Sequence, residues 1–108
     1  MISAHLKPQL TKEDYAKAVG TLLTFAVKDC GGSKACAIVL LNAYNYTAFH
    51  LDITDLCGMD ANLYSAALVV IRARVELCTE PHNLIADGSR VFDELWKQWD
   101  HLSLLKGH

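Results

Sequence analysis

The chain reads as all-α: a compact bundle of four main helices with an irregular connector between the second and third. Three observations carry that reading. Apolar residues recur at steps of three and four over most of the 108 residues. Thr, Ser and Asp stand where helices would start, and Gly or Pro where they would stop. The hydrophobic fraction of 52% against 20% charged supplies a self-sufficient core and argues against disorder. The length suits one domain. Residues 1–10 are expected to form a flexible arm and residues 11–105 a single helical domain.

The first helix is expected from Thr11. Thr11 followed by Asp14 is an acidic variant of the capping box. Tyr15, Ala18, Val19, Leu22, Phe25 and Ala26 share one face, with Lys17, Thr21, Thr24 and Lys28 opposite. Asp29, Cys30, Gly31 and Gly32 should end it, the glycines supplying positive φ. The second helix should start at a capping Ser33. Its run from Ala35 to Leu41 is apolar around most of the cylinder, the mark of a buried helix. Asn42, Asn45 and Thr47 end it. Phe49, Leu51 and Ile53 then alternate with polar residues, which suggests extended chain and a short turn. Asp52 with Asp55 offers a one-turn cap as the other reading.

Asp60 should cap the third helix, expected to reach Cys78. Leu63, Ala67, Val70, Ile71, Arg74, Leu77 and Cys78 share a broad arc, and only the surroundings of Arg72 and Glu76 look wet. The segment 79–88 holds Pro81 and reads as a loop, tucked onto the core by Leu84 and Ile85. The last helix is expected from Ser89 to Leu102, with Val91, Phe92, Leu95, Trp99 and Leu102 inward and Trp96 at the edge. Lys106, Gly107 and His108 are expected to be mobile.

Several function classes lose ground on composition. The formal charge is −2 and the pI about 6.2. Lys and Arg are scattered, without the basic stripe that binding a phosphate backbone needs, so nucleic acid is an unfavoured partner. Residues 1–10 lack the apolar core of a secretory signal, and the run from Ala35 to Leu41 is far short of a membrane span. Cys30, Cys36, Cys57 and Cys78 form no C-x-x-C pair, and three of them sit in apolar helical contexts. Free structural thiols in a reducing cytoplasm are the expectation.

The candidate site residues are Arg74, Asp52, Asp55, Trp96, Tyr44 and Tyr46, for interaction or as buried polar groups. Arg74 projects from an apolar arc, and a buried charge needs a partner. The expected partner is Asp52 or Asp55, or else the side chain snorkels to water. A role toward an anionic ligand or a partner protein is the other reading. Asp52, Asp55 and Asp60 suggest acid–base work or a cation site only weakly, because each stands where a cap would. His50, His82 and His101 lie on separate segments. With Cys57 they lack zinc spacing, so no metal and no cofactor is expected, and a Cys–His pair is a remote alternative. Gly31-Gly32-Ser33-Lys34 lacks the spacing of a phosphate loop. Tyr44, Tyr46 and Trp96 fall at helix ends and face boundaries, where aromatics often anchor interfaces.

The block from Gly31 to Asp60 resembles an uncharacterised family of short helical bacterial proteins common on prophages and integrative or conjugative elements. The residues that carry it are Gly32-Ser33, Ala37, Leu40-Leu41, Asn42, Tyr44-Asn45, Phe49-x-Leu51-x-x-x-Asp55-Leu56 and Asp60. A terminal aromatic helix ending near Trp99 also fits, so the resemblance spans about residues 11–102. The family pattern often has tryptophan where this chain has Tyr44 and Cys57. The resemblance implies a mobile-element setting and no particular reaction.

Together these readings favour a non-enzymatic protein-interaction module, a mobile-element accessory protein of unknown target. Homodimerisation is one form its interaction would take. An anti-defence inhibitor of a host nuclease complex is the first alternative, and a small enzyme with a Cys/His or carboxylate site the second.

Overall fold

Apolar helix faces gain by being buried against one another, and in the computed structural model most of them are. It describes residues 10–105. Four α-helices carry the fold: α1 (Lys12–Ala26), α2 (Ser33–Tyr44), α3 (Ala61–Glu76) and α4 (Gly88–Trp99). Single 3-10 turns cover Ile53–Leu56, Pro81–Leu84 and Asp100–Leu102, and no strand occurs among the described residues. The expected four-helix architecture holds.

Helices α1, α2 and α3 pack mutually, and α4 closes over α2 and the Pro81–Leu84 turn. Tyr15, Val19, Leu22, Val39, Leu40, Leu41, Phe49, Val70, Phe92 and Leu95 are buried in one core. α2 is buried on nearly every side, as its all-round apolar run requires. The expected arm and the C-terminal tripeptide lie mostly outside the described residues. Leu10, counted with the arm, is buried in the core.

The helix starts mostly follow their caps. Thr11 Oγ1 accepts the Asp14 N–H, and the Asp14 carboxylate accepts the Thr11 N–H. Those bonds hold the Asp14 carboxyl below its usual range. Asp60 accepts the Leu63 N–H at 2.9 Å. Ser33 departs from expectation. It is the first residue of α2, and its hydroxyl accepts from Cys30 N–H at 3.0 Å, so it ties the preceding loop and leaves α2 without a side-chain cap.

Two further corrections concern stops. α1 ends at Ala26, and neither Gly31 nor Gly32 adopts positive φ. Gly32 is needed for space: a Cβ there would meet Leu63 Cδ1 at 3.0 Å. Gly88 is the tighter case, because a Cβ there would lie 1.7 Å from the His82 carbonyl oxygen. Asp87 beside it takes a left-handed φ of 58°.

The α1 C-terminus leaves orphan carbonyls, and α4 supplies donors for them. Trp99 Nε1 donates to the Ala26 carbonyl at 3.0 Å. Gln98 Nε2 lies 3.3–3.4 Å from the carbonyls of Ala26, Val27 and Lys28.

α3 is rotated from the expected arc. Its buried stripe is Leu63, Ala66, Ala67, Val70 and Ala73. Ile71, Arg74 and Leu77 are half-buried, and Cys78 lies beyond the helix end, exposed with φ of 51°. Tyr64, Leu68 and Val75 are exposed, although only the surroundings of Arg72 and Glu76 were expected to be wet. Arg72 and Glu76 themselves form a two-bond ion pair at 2.6 and 3.0 Å.

Candidate functional site

The site assembles where α2 ends. Asn45 Oδ1 accepts from the Thr47 N–H, the Thr47 hydroxyl and the Ala48 N–H at 2.7–3.1 Å. This local turn reverses the chain. Asn42 Nδ2 donates to the Phe49 carbonyl at 2.7 Å and fixes the return. The tip of the turn is Tyr46, left 72% exposed.

Arg74 reaches this turn from α3. Its Nε donates to the Ala43 carbonyl at 3.0 Å. Ala43 lies in the last turn of α2, whose carbonyls lack helical partners and carry the negative end of the helix dipole. The polar demand of Arg74 is thus met by a helix C-terminus. Among the described residues no carboxylate lies within ion-pair distance of its guanidinium. The expected pairing with Asp52 or Asp55 does not occur. Those two residues belong to the 3-10 turn of the connector, where the Asp55 carboxylate accepts the Asp52 N–H at 2.9 Å.

Arg74, Tyr44 and Tyr46 therefore come together with Asn42, Ala43, Asn45 and Glu80 around a cleft of about 330 Å³. Tyr44 forms its inner wall. Its ring meets His82 edge-on at 5.0 Å, Phe92 at 5.0 Å and Trp96 at 6.4 Å. Burial, with Asp93 and Glu80 adding, pushes its phenol pKa up. Tyr15 lies beneath, its hydroxyl donating to the Thr79 carbonyl at 2.8 Å. Burial pushes that phenol up to about 12, against the opposing pull of Arg74. Neither phenol is a base near neutral pH.

Trp96 sits behind the cleft. It packs edge-on against Phe49 at 5.0 Å and donates Nε1–H to Asp100 at 2.9 Å. Of the six candidates, Arg74, Tyr44 and Tyr46 share one cleft. Trp96 touches it through Tyr44, and Asp52 and Asp55 stand elsewhere.

The other titratable groups stay dispersed. His50 and His101 are exposed, and His101 stacks on Trp99 at 5.8 Å. The His82 Nδ1 is buried without a hydrogen-bond partner, 3.7 Å from Glu80 Oε1. Among the described residues no three His, Cys, Asp or Glu side chains converge to hold a metal. All four cysteines are free. Only Cys36 is buried; Cys30, Cys57 and Cys78 are exposed, contrary to the expectation that three lie in apolar surroundings. Burial pushes the Cys36 thiol up to about 11. The Ser33 hydroxyl beside Cys30 holds that thiol below its ordinary value. No described helix is long and apolar enough to cross a membrane.

Sequence reasoning missed two features. Glu80 was not singled out, and only the folded loop carries it to the cleft. The exposed apolar residues of α3 escape a reading that marks the wet face by its charges, Arg72 and Glu76, alone. Their spacing was the available signal.

No match was found among curated proteins or solved structures. The model of DUF7673, a family of unknown function, matches residues 16–100. That covers most of the sequence and reaches all four helices, so the chain belongs to this family.

Proposed function

We propose that this chain is a non-enzymatic protein-interaction module that acts on a protein partner in the cytoplasm, with a mobile-element setting implied by the sequence resemblance. The observation that carries the reading is the Tyr46–Arg74 shoulder. A tyrosine held 72% exposed by a tied turn stands beside a guanidinium with no carboxylate partner among the described residues. Tyr and Arg are the residue types that dominate binding energy at protein interfaces. Asn45 ties the backbone of the turn that carries Tyr46 and the Ala43 carbonyl holds the Arg74 guanidinium, so part of the ordering cost of binding is already met. A chemical reading has less support, because the phenols of Tyr15 and half-buried Tyr44 are shifted upward, away from neutrality, and the exposed thiols stand apart.

Affinity capture from the native host tests this, with wild-type protein beside Tyr46→Ala and Arg74→Ala. A partner recovered by wild type and depleted at least about tenfold in both variants is expected, with both variants keeping the helical circular dichroism. Equal recovery by all three proteins would sink the reading.

A further inference from the structure

The outer face of α3 is apolar at a regular spacing. Ala61, Tyr64, Leu68, Ile71 and Val75 follow one another at alternating steps of three and four, the rhythm of a coiled-coil seam, and exposed Cys78 lies just past the helix end in left-handed backbone. The core does not use this seam. It is buried through Leu63, Ala66, Ala67, Val70 and Ala73, while Tyr64, Leu68 and Val75 remain exposed.

The two ends of the seam differ in shape. At the N-terminal end, Tyr64 joins Ile53, Leu56, Cys57 and Met59 around an apolar groove of about 330 Å³. At the C-terminal end, Val75 stands out, 70% exposed. One end is a socket and the other a knob.

Charge follows the same polarity. Asp52, Asp55 and Asp60 lie in and just after the connector, at the socket end. At the knob end Glu76 neutralises Arg72, and Glu80 lines the same cleft as Arg74. That end is close to neutral. A parallel pair of helices would gather six carboxylates at one end, offset only by the two Lys34 side chains that share a cleft with Asp55, and like charges brought together oppose association. An antiparallel pair separates the two acidic sets and seats each knob in a socket.

We propose that the outer face of α3 is a two-fold interface between two copies of this chain, with the helices antiparallel. The axis passes between Leu68 and Ile71. Tyr64 then opposes Val75 of the second copy, and the position of Cys78 of the second copy falls opposite Ala61, beside the connector that carries Cys57. The helix alone is too small for this. Its 16 residues present a face of about 24 by 10 Å, roughly half of what each side of a 1,000 Å² interface provides. Ile53, 85% exposed, with Leu56 and Met59 extends the face. The connector is therefore part of the interface.

The inference rests on the reading of the chain as an interaction module and names one partner for it. Light scattering across concentration and cross-linking with a short bismaleimide in a Cys30→Ser background test it together. A dimer mass is expected, with a covalent dimer joined from Cys57 of one copy to Cys78 of the other. Either Cys57→Ser or Cys78→Ser should abolish that link. Links from Cys57 to Cys57 or from Cys78 to Cys78 would overturn the antiparallel arrangement. Leu68→Asp should be monomeric with its helical circular dichroism kept, and Ile53→Asp should weaken the dimer at least about tenfold. A Leu68→Asp dimer overturns the seam, and a wild-type monomer at millimolar concentration overturns the interface altogether. That last result leaves capture through Tyr46 standing, so the two readings fail separately.

Discussion

α4, of 12 residues, and α3, of 16, sort their residues differently. α4 buries Phe92, Leu95 and Trp99 and exposes Asp93, Glu94 and Lys97. Its outer face is held by Arg90, which bonds Asp87 at 2.6 Å and Glu94 at 3.2 Å. α3 is apolar on both sides, with small alanines inward and larger side chains outward. The contrast teaches that one core can be built by two rules. α4 follows water: its large side chains turn in and its charges out. α3 follows space: Ala66, Ala67 and Ala73 let α1 and α2 approach closely, which leaves the bulk of Tyr64, Leu68 and Val75 with nowhere to go but outward.

The contrast breaks most visibly at Phe92. Phe92→Ala removes the largest wholly buried side chain of α4 and should cost about 3–5 kcal/mol in urea unfolding. A loss under about 1 kcal/mol would mean that α4 is only loosely docked. The two faces of α3 should separate next. Val70→Ala on the inner face should cost about 2 kcal/mol. Leu68→Ala on the outer face, measured at concentrations dilute enough for monomer, should stay within about 0.5 kcal/mol of wild type. Equal losses at Leu68 and Val70 would erase the distinction between faces.

The smallest effect is chemical. Cys30 lies exposed with its thiolate favoured by the Ser33 hydroxyl, while Cys36 is buried with its thiol pushed up to about 11. A lowered thiol pKa raises the thiolate fraction at a given pH, and a raised one suppresses it. Iodoacetamide near pH 8 should therefore label Cys30 at least about tenfold faster than Cys36, as read by peptide mass mapping. The gap should shrink as pH rises further, once Cys30 is wholly ionised. Comparable rates would show that α2 opens readily.

Much of the fold was legible because the signals were local. Thr11 with Asp14 and Asp60 ahead of Leu63 are caps visible in a few letters, and they form as read. The amphipathic stripe of α4 was equally plain. Arg74 was legible only as a problem. Its position predicted a polar demand, but the answer, the Ala43 carbonyl, belongs to a helix 31 residues away and to a backbone atom that no side-chain inventory can show. Ser33 misled for a related reason: its hydroxyl turned back to Cys30 instead of forward into α2. The outer face of α3 was hidden by its own composition. When a helix is apolar on both sides, periodicity cannot say which side the core takes; only the close packing of the alanines decides it.

The hydrogen bond from Trp99 to the Ala26 carbonyl joins residues 73 apart, about three quarters of the described chain. Closing so long a loop costs roughly 4 kcal/mol of chain entropy by the logarithmic law. Nothing local offsets that cost until α4 lies in place. During synthesis α1, α2 and α3 can meet early, but the α1 carbonyls stay open to water until Trp99 has emerged. The latch therefore closes only after the three helices it joins to α4 can already have met.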